Sequence, residues 1–221
     1  MNKAWLRVVM CATAVVLAAG CRSGTYYDWM EKMGRPKRDL LVGRVETARE
    51  SQQEAKRQFQ SALEQFNTVL KDDHGELQSK YDKLTAVLER SQSRANAVGG
   101  HIQAIESVAR ALFAEWKREI AQYSNHELAE SSQDKLDQTL ARYNQYMTAM
   151  KRADQKTGPV IAAFHDQVLY LKHNLNAKAL ASMRAELPTV EENTSALIRE
   201  MEASIEEANA FLSQMKADAS S

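Results

Sequence analysis

From Leu41 to Val69, apolar side chains recur at alternating spacings of four and three: Leu41, Val45, Ala48, Ala55, Phe59, Ala62, Phe66 and Val69, with Gln52 the one polar member. On an α-helix that spacing gathers the whole series into one stripe, and its persistence for about four heptads is enough to specify a coiled-coil seam. Such a helix cannot bury its stripe alone. It demands a helical partner, either an antiparallel neighbour in the same chain or a parallel second copy.

The following segments supply neighbours. Asp72-Asp73-His74-Gly75 closes the first helix, because acids near a C-terminus oppose the macrodipole and glycine readily takes the left-handed conformation that ends helices. A second seam runs Leu77, Tyr81, Leu84, Leu88, Ser91, Ala95, Val98, Ile102, Ile105, Ala109, Leu112, Trp116, Ile120 and Tyr123. Gly99-Gly100 falls inside it without disturbing the phase, although each glycine costs about 1 kcal/mol against alanine in a helix. The pair reads either as tolerated in a continuous helix or as a candidate hinge, where the helix bends or another backbone approaches.

Ser124 and Glu127 fit a capping box opening a third helix, striped by Leu128, Leu136, Leu140, Tyr143, Met147 and Met150. Thr157-Gly158-Pro159 reads as a stop and restart with Thr157 as the N-cap, and Ile161, Phe164, Val168, Leu171, Leu175 and Ala179 stripe a fourth helix. Within it, the His173-Asn174-Leu175-Asn176 run reads as a polar layer against a neighbour or a recognition patch. Pro188, with Thr189 and Glu192 as another capping box, leads into a last stripe of Val190, Thr194, Leu197, Met201, Ile205, Ala208, Leu212 and Met215. The expectation is an all-α protein, an elongated antiparallel helical bundle or coiled coil of about five helices occupying residues 37–218.

Residues 1–20 have a different character. Lys3 and Arg7 precede the apolar stretch Val8 to Leu17, and Ala18-Ala19-Gly20 lead into Cys21. This is the build of a signal peptide, with an apolar stretch well short of the ~20 residues that span a bilayer. Cleavage between Gly20 and Cys21 would leave a terminal cysteine whose thiol accepts a diacylglyceryl group. The pattern resembles the lipobox of bacterial lipoproteins, with Ala18 in the usual leucine position and Leu17 one place further away. An ordinary secretory signal with a coincidental cysteine is the plainer alternative. Residue 22 is Arg, where Asp often retains lipoproteins in the inner membrane, so the resemblance implies the periplasmic face of the outer membrane, with the inner membrane as the alternative. Cys11 goes with the signal and Cys21 with the lipid, which leaves no intramolecular disulfide.

Residues 21–36 then form a lipidated tether crowded with Tyr26, Tyr27, Trp29, Met30 and Met33 ahead of Gly34-Arg35-Pro36. Either they fold back on the bundle end, or Tyr26, Tyr27, Trp29, Arg35, Lys37 and Arg38 are candidate contacts to lipid headgroups or a protein partner, since aromatic residues and Arg commonly anchor such contacts. The segment resembles a family of bacterial lipoproteins known only as a domain of unknown function. The resemblance is carried by Tyr26-Tyr27, Glu31 to Gly34, Lys37-Arg38-Asp39, Arg44-Val45 and Ala48-Arg49, and later by the run from Leu171 to Ala177. It implies an envelope location and a helical build, and brings no activity, ligand or catalytic residue.

The chain has 29 basic and 29 acidic residues, and losing Lys3 and Arg7 with the signal leaves 27 against 29, a net charge of −2. That balance gives nucleic acid no electrostatic footprint. His74, His101, His126, His165 and His173 are scattered, and none forms the i, i+4 pair of a helical zinc site, so no metal or cofactor is expected. Glu191-Glu192 and Glu206-Glu207 are adjacent pairs, whose side chains point about 100° apart on a helix and do not converge on a substrate. The reading is a membrane-anchored structural or scaffolding protein working through helical surfaces, with a protein partner or self-association. A carrier holding lipid or protein between hinged helices is the alternative, and an envelope hydrolase the third.

Overall fold

The stripe that starts at Leu41 is buried as far as Phe66: Leu41, Val45, Ala48, Gln52, Ala55, Phe59, Ala62 and Phe66 are all inaccessible to solvent. The chain is described by a computed structural model covering residues 36–72 and 76–220. Its four helices are α1 (Lys37–Lys71), α2 (Leu77–Ile120), α3 (His126–His173) and α4 (Ala177–Ser220). The 35 residues of α1 and the 48 of α3 correspond to about 50 and 70 Å at 1.5 Å per residue. The bundle is therefore much longer than it is wide.

Each helix packs on two others: α1 on α2 and α4, and α3 on α2 and α4. Side-chain pairs fix the direction. Along α1 and α4, Arg38 meets Asp218, Lys56 meets Glu202 and Asn67 meets Glu191, so residue numbers rise on one helix as they fall on the other. Lys37–Glu115 and Arg94–Glu54 set the same sense for α1 and α2, as do Trp116–Ser132 and Lys151–Glu106 for α2 and α3. Arg152–Glu200 together with Tyr146–Phe211 does so for α3 and α4. The result is an up-down-up-down antiparallel four-helix ring.

The core fills its centre. Phe66 and Phe164 stack with ring centroids 4.5 Å apart, joining α1 to α3 across the ring. Nearer the other end, Tyr143 takes edge contacts from Phe113 and Phe211 while Tyr146 stacks on Phe211, tying α2, α3 and α4 together. Burial and the nearby Glu106 carboxylate push the Tyr143 phenol up to about 12. Tyr146 is fully buried, donates to Met150 Sδ at 3.2 Å, and is likewise driven upward by burial. Both phenols stay neutral and serve as packing groups.

Heptad arithmetic drifts on long helices because 3.6 residues per turn do not match a strict 3.5 repeat. Leu70 closes the α1 stripe in place of Val69, and Val87 and Phe113 take the inner positions expected of Leu88 and Leu112. Val69, Leu88 and Leu112 flank the core half-buried, as suits helices that each face two neighbours.

The structure corrects the count of about five helices to four among the described residues. Thr157-Gly158-Pro159 does not interrupt α3. Thr157 is buried and its hydroxyl donates to the Ala153 carbonyl at 3.1 Å, while the proline ring is exposed. A mid-helix proline costs about 3 kcal/mol, but a break here would throw Val160 and Phe164 out of the core, and burying such side chains is worth about 1.5–3 kcal/mol each. Pro188 is passed over in the same way, between buried Leu187 and Val190 within α4, so Thr189 and Glu192 cap nothing.

The real reversal is at Asn174-Leu175-Asn176, which the sequence reading placed inside a helix. The Asn174 side chain donates to the Tyr170 carbonyl at 3.0 Å, and Asn176 Oδ1 accepts from the Ala179 backbone N–H at 3.0 Å. Asparagine amides compete with the backbone for hydrogen bonds and so favour helix ends. Asn125, one residue past the expected Ser124, caps α3 by accepting from the N–H groups of Glu127 and Leu128. Leu128 and Leu175, assigned to seams, are exposed because each sits at a turn.

Candidate functional site

Of the residues singled out in the sequence, Gly20, Cys21, Tyr26, Tyr27, Trp29 and Arg35 lie outside the described residues, as does His74. Lys37 and Arg38 are within them, and both are engaged in the bundle. The Lys37 ammonium is buried against Glu115, 3.1 Å from Oε1. Arg38 donates to the Met215 carbonyl at 2.7 Å and faces Asp218 at 3.8 Å. Their charges thus clamp the start of α1 onto the ends of α2 and α4.

Gly99 and Gly100 sit in unbroken helix. A Cβ on Gly99 would meet Asp154 Oδ1 at 3.7 Å, an ordinary contact, and one on Gly100 would meet nothing within 4 Å. Neither glycine is therefore required by a close backbone approach. Their absent side chains instead help to open a groove between α2 and α3, which continues past Gly99 and Gly100 toward Gly158. Its larger section has a volume of about 720 Å³, with Leu88, Ile161 and Ala162 contributing apolar surface and Gln92, Asn96 and His165 polar groups. It is open to solvent, so it suits something laid along the surface. Gly158 opposite Gly99 was not recognised from the sequence. The Gly-Pro step could have shown it, had it been read as a thinning of the helix surface and not as a break.

At the far end of the bundle, Leu169 and Tyr170 on α3 and Leu175 in the turn are 41–44% exposed. At the near end, Tyr123 and Leu128 are 48% and 55% exposed. His165 Nδ1 lies 3.6 Å from Asp166, both exposed. Among the described residues, no three His, Cys, Asp or Glu side chains converge as metal ligands, and no helix is long and apolar enough to cross a membrane.

A family model described as "Protein of unknown function (DUF2959)" matches residues 26–215, and the chain belongs to that family. The match opens ten residues before Pro36 and so takes in the aromatic segment. No curated protein and no solved structure matches the chain.

Proposed function

We propose that this chain is a lipoprotein anchored to the periplasmic face of the outer membrane, and that its bundle is a scaffold presenting helical surfaces to a protein partner or to further copies of itself. The observation that carries the reading is the position of Pro36. It caps α1 at the end of the bundle where α4 finishes and α2 turns into α3. Acyl chains on Cys21, fifteen residues earlier in the sequence, would hold that end at the bilayer, and the opposite end would stand about 50 Å or more away, the length of α1. Several acyl chains together give durable attachment where one gives only marginal binding.

The α2–α3 groove favours a second reading, a module that receives an elongated partner or lipid between those helices. Both readings are tested in cells. Cys21→Ser is expected to move the protein from the membrane to the soluble fraction, and mass spectrometry of the wild type to find Cys21 acylated. A bare Cys21 in the mature protein would end the lipoprotein reading. Photo-crosslinking from Gln92 in the groove and from Glu202 on the α1–α4 face separates the two modes: capture confined to Gln92 selects the groove.

A further inference from the structure

One face of α2 turns away from both α1 and α3. It begins with Asp82, Ala86 and Glu89, runs through Ser93, Asn96, Gly100, Gln103 and Ser107, and ends with Arg110, Ala114 and Lys117. Ala86 and Ser107 are half-buried and the rest exposed. The spacings alternate between four and three, the same heptad that the buried Leu84, Ser91, Val98 and Ile105 follow, so this face stays on one side of the helix for its whole length. Acids stand at its start, bases at its end, and no member between Glu89 and Arg110 is charged. The charged side chains of that stretch lean sideways instead: Arg90 and Arg94 reach Gln65 and Glu54 on α1, and Glu106 pairs with Lys151 on α3. On α1, by contrast, the exposed side carries Glu50, Glu54, Arg57 and Glu64 over a similar length. An uncharged centre bounded by charges is the anatomy of an interface and not of a solvated helix face.

The order of charges says what fits it. Read in reverse, the face maps Gly100 onto itself and each acid onto a base. A second copy laid antiparallel along α2 therefore sets Asp82 against the second copy's Lys117, Glu89 against its Arg110 and Asn96 against its Gln103, and two-fold symmetry makes each contact twice. A parallel copy would set like charges together at all four charged positions. The amides of Asn96 and Gln103 can each donate and accept. At the axis, a Cβ on Gly100 would meet nothing of its own chain within 4 Å, so a second backbone has room to approach. The groove beside it, lined by Asn96, Gly100 and Gln103, leaves space for the incoming side chains.

We propose that this face of α2 is a self-association surface, on which a second copy of the chain docks antiparallel about a two-fold axis at Gly100. The charge pairs at its ends fix direction and register more than they add affinity. Such pairing deepens the scaffold reading, on which it rests, by naming the partner and the surface, and it is independent of acylation at Cys21. It also bears on orientation: a lone copy anchored at Cys21 stands away from the bilayer, whereas an anchored pair, with a Pro36 at each end, lies along it.

Charge reversal in the full chain carrying Cys21→Ser, read by analytical ultracentrifugation, tests it. The parent is expected to dimerise. Glu89→Arg alone and Arg110→Glu alone should each weaken the dimer about tenfold, because like charges then meet at two symmetric positions, and both changes in one chain should restore it. Circular dichroism should show the same helix content in all four chains, since both side chains are exposed. A parent that stays monomeric at about 0.1 mM, far above the Kd of a specific complex, would overturn the pairing. The scaffold reading would survive that result, since it fails only if crosslinking in cells captures no protein at all. A dimer indifferent to the single reversals, or not restored by the double one, would equally overturn it. Cysteines read the direction: with Cys11→Ser added, oxidising a mixture of Glu89→Cys and Arg110→Cys chains is expected to join one of each, and either chain alone to give no linked dimer. Glu89→Cys chains that join one another would defeat the antiparallel docking.

Discussion

Two interfaces of the same bundle are built on opposite plans. Where α1 meets α4, polar pairs run the length of the contact: Lys216 with Glu46, Arg49 with Asn209, Lys56 with Glu202, Asn67 with Glu191, and Arg184 with the Leu70 carbonyl. At its centre, Gln52 and Ser204, both fully buried, exchange hydrogen bonds of 2.9 and 3.1 Å. Where α2 meets α3, the chain itself makes the turn, and the middle of the contact opens into the glycine-lined groove. The difference follows from connectivity. A short turn sets the register of α2 against α3 at little entropic cost, whereas α1 and α4 are brought together from opposite ends of the fold. Their register must be specified by side chains, and a buried polar pair is suited to that role, as an asparagine is in a coiled coil. The interface that its turn already aligns is free to leave surface uncovered.

The largest expected effect sets the scale. Phe66→Ala, which empties the stack against Phe164, should cost about 3–5 kcal/mol in urea melts. Gln60→Ala, on the exposed side of α1, should stay within about 0.5 kcal/mol. Equal costs would mean the α1 stripe is not the core.

Breaking the α1–α4 plan comes next. Ser204→Ala strands the buried Gln52 amide and should cost about 1–3 kcal/mol, while adding Gln52→Leu should restore much of that stability. If the pair sets register, the double variant should keep its melting temperature yet yield a mixture of α1–α4 crosslinks between shifted cysteine positions. A single crosslink pattern would assign the register to the charged pairs around it.

The α2–α3 plan is tested with Gly99→Ala and Gly100→Ala together. The structure leaves room for both methyl groups, so the change should stabilise the bundle by up to about 2 kcal/mol. Full complementation of a deletion strain alongside that gain would fit a static scaffold. Higher stability with lost function would favour the groove or a hinge as the working part.

The smallest effect is one of pH and falls on α1–α2. Burial first, and then the Arg44 charge, lower the pKa of His101 below 6.5. The folded state resists this proton more than the unfolded chain does, so His101 should contribute stability above about pH 6.5 and lose it as pH falls through that value toward its lowered folded pKa. His101→Gln should flatten this part of the stability profile between pH 7 and 5, with little change at pH 7.5. An unchanged acid slope would assign the sensitivity to other groups.

How much was legible depends on which force decided each feature. The stripes of α1 and of the last thirty residues of α4 were readable almost residue by residue, since a 3-4 spacing has one helical meaning. Helix ends were read less well. Pro159 and Pro188 looked like stops because their local cost is large, yet the burial of Val160, Phe164, Leu187 and Val190 outweighs it. The Asn174–Asn176 turn looked like helix because the apolar positions on either side continue the phase. For the candidate surfaces, Gly99 and Gly100 stood out as glycines, but only their position opposite Gly158 makes a groove of them. Lys37 and Arg38 read as surface cations, and Glu115, Met215 and Asp218, which hold them, are distant in sequence.

What the sequence determined by itself is the helical class and, over most of each helix, the face that turns inward, because these rest on periodicity. The tertiary structure decided that the described residues form four helices, that α1 closes against α4 and that a groove opens between α2 and α3. Those features depend on which distant side chains share a level along the bundle axis. A local pattern sets what each segment needs to bury, and only packing sets which neighbour buries it.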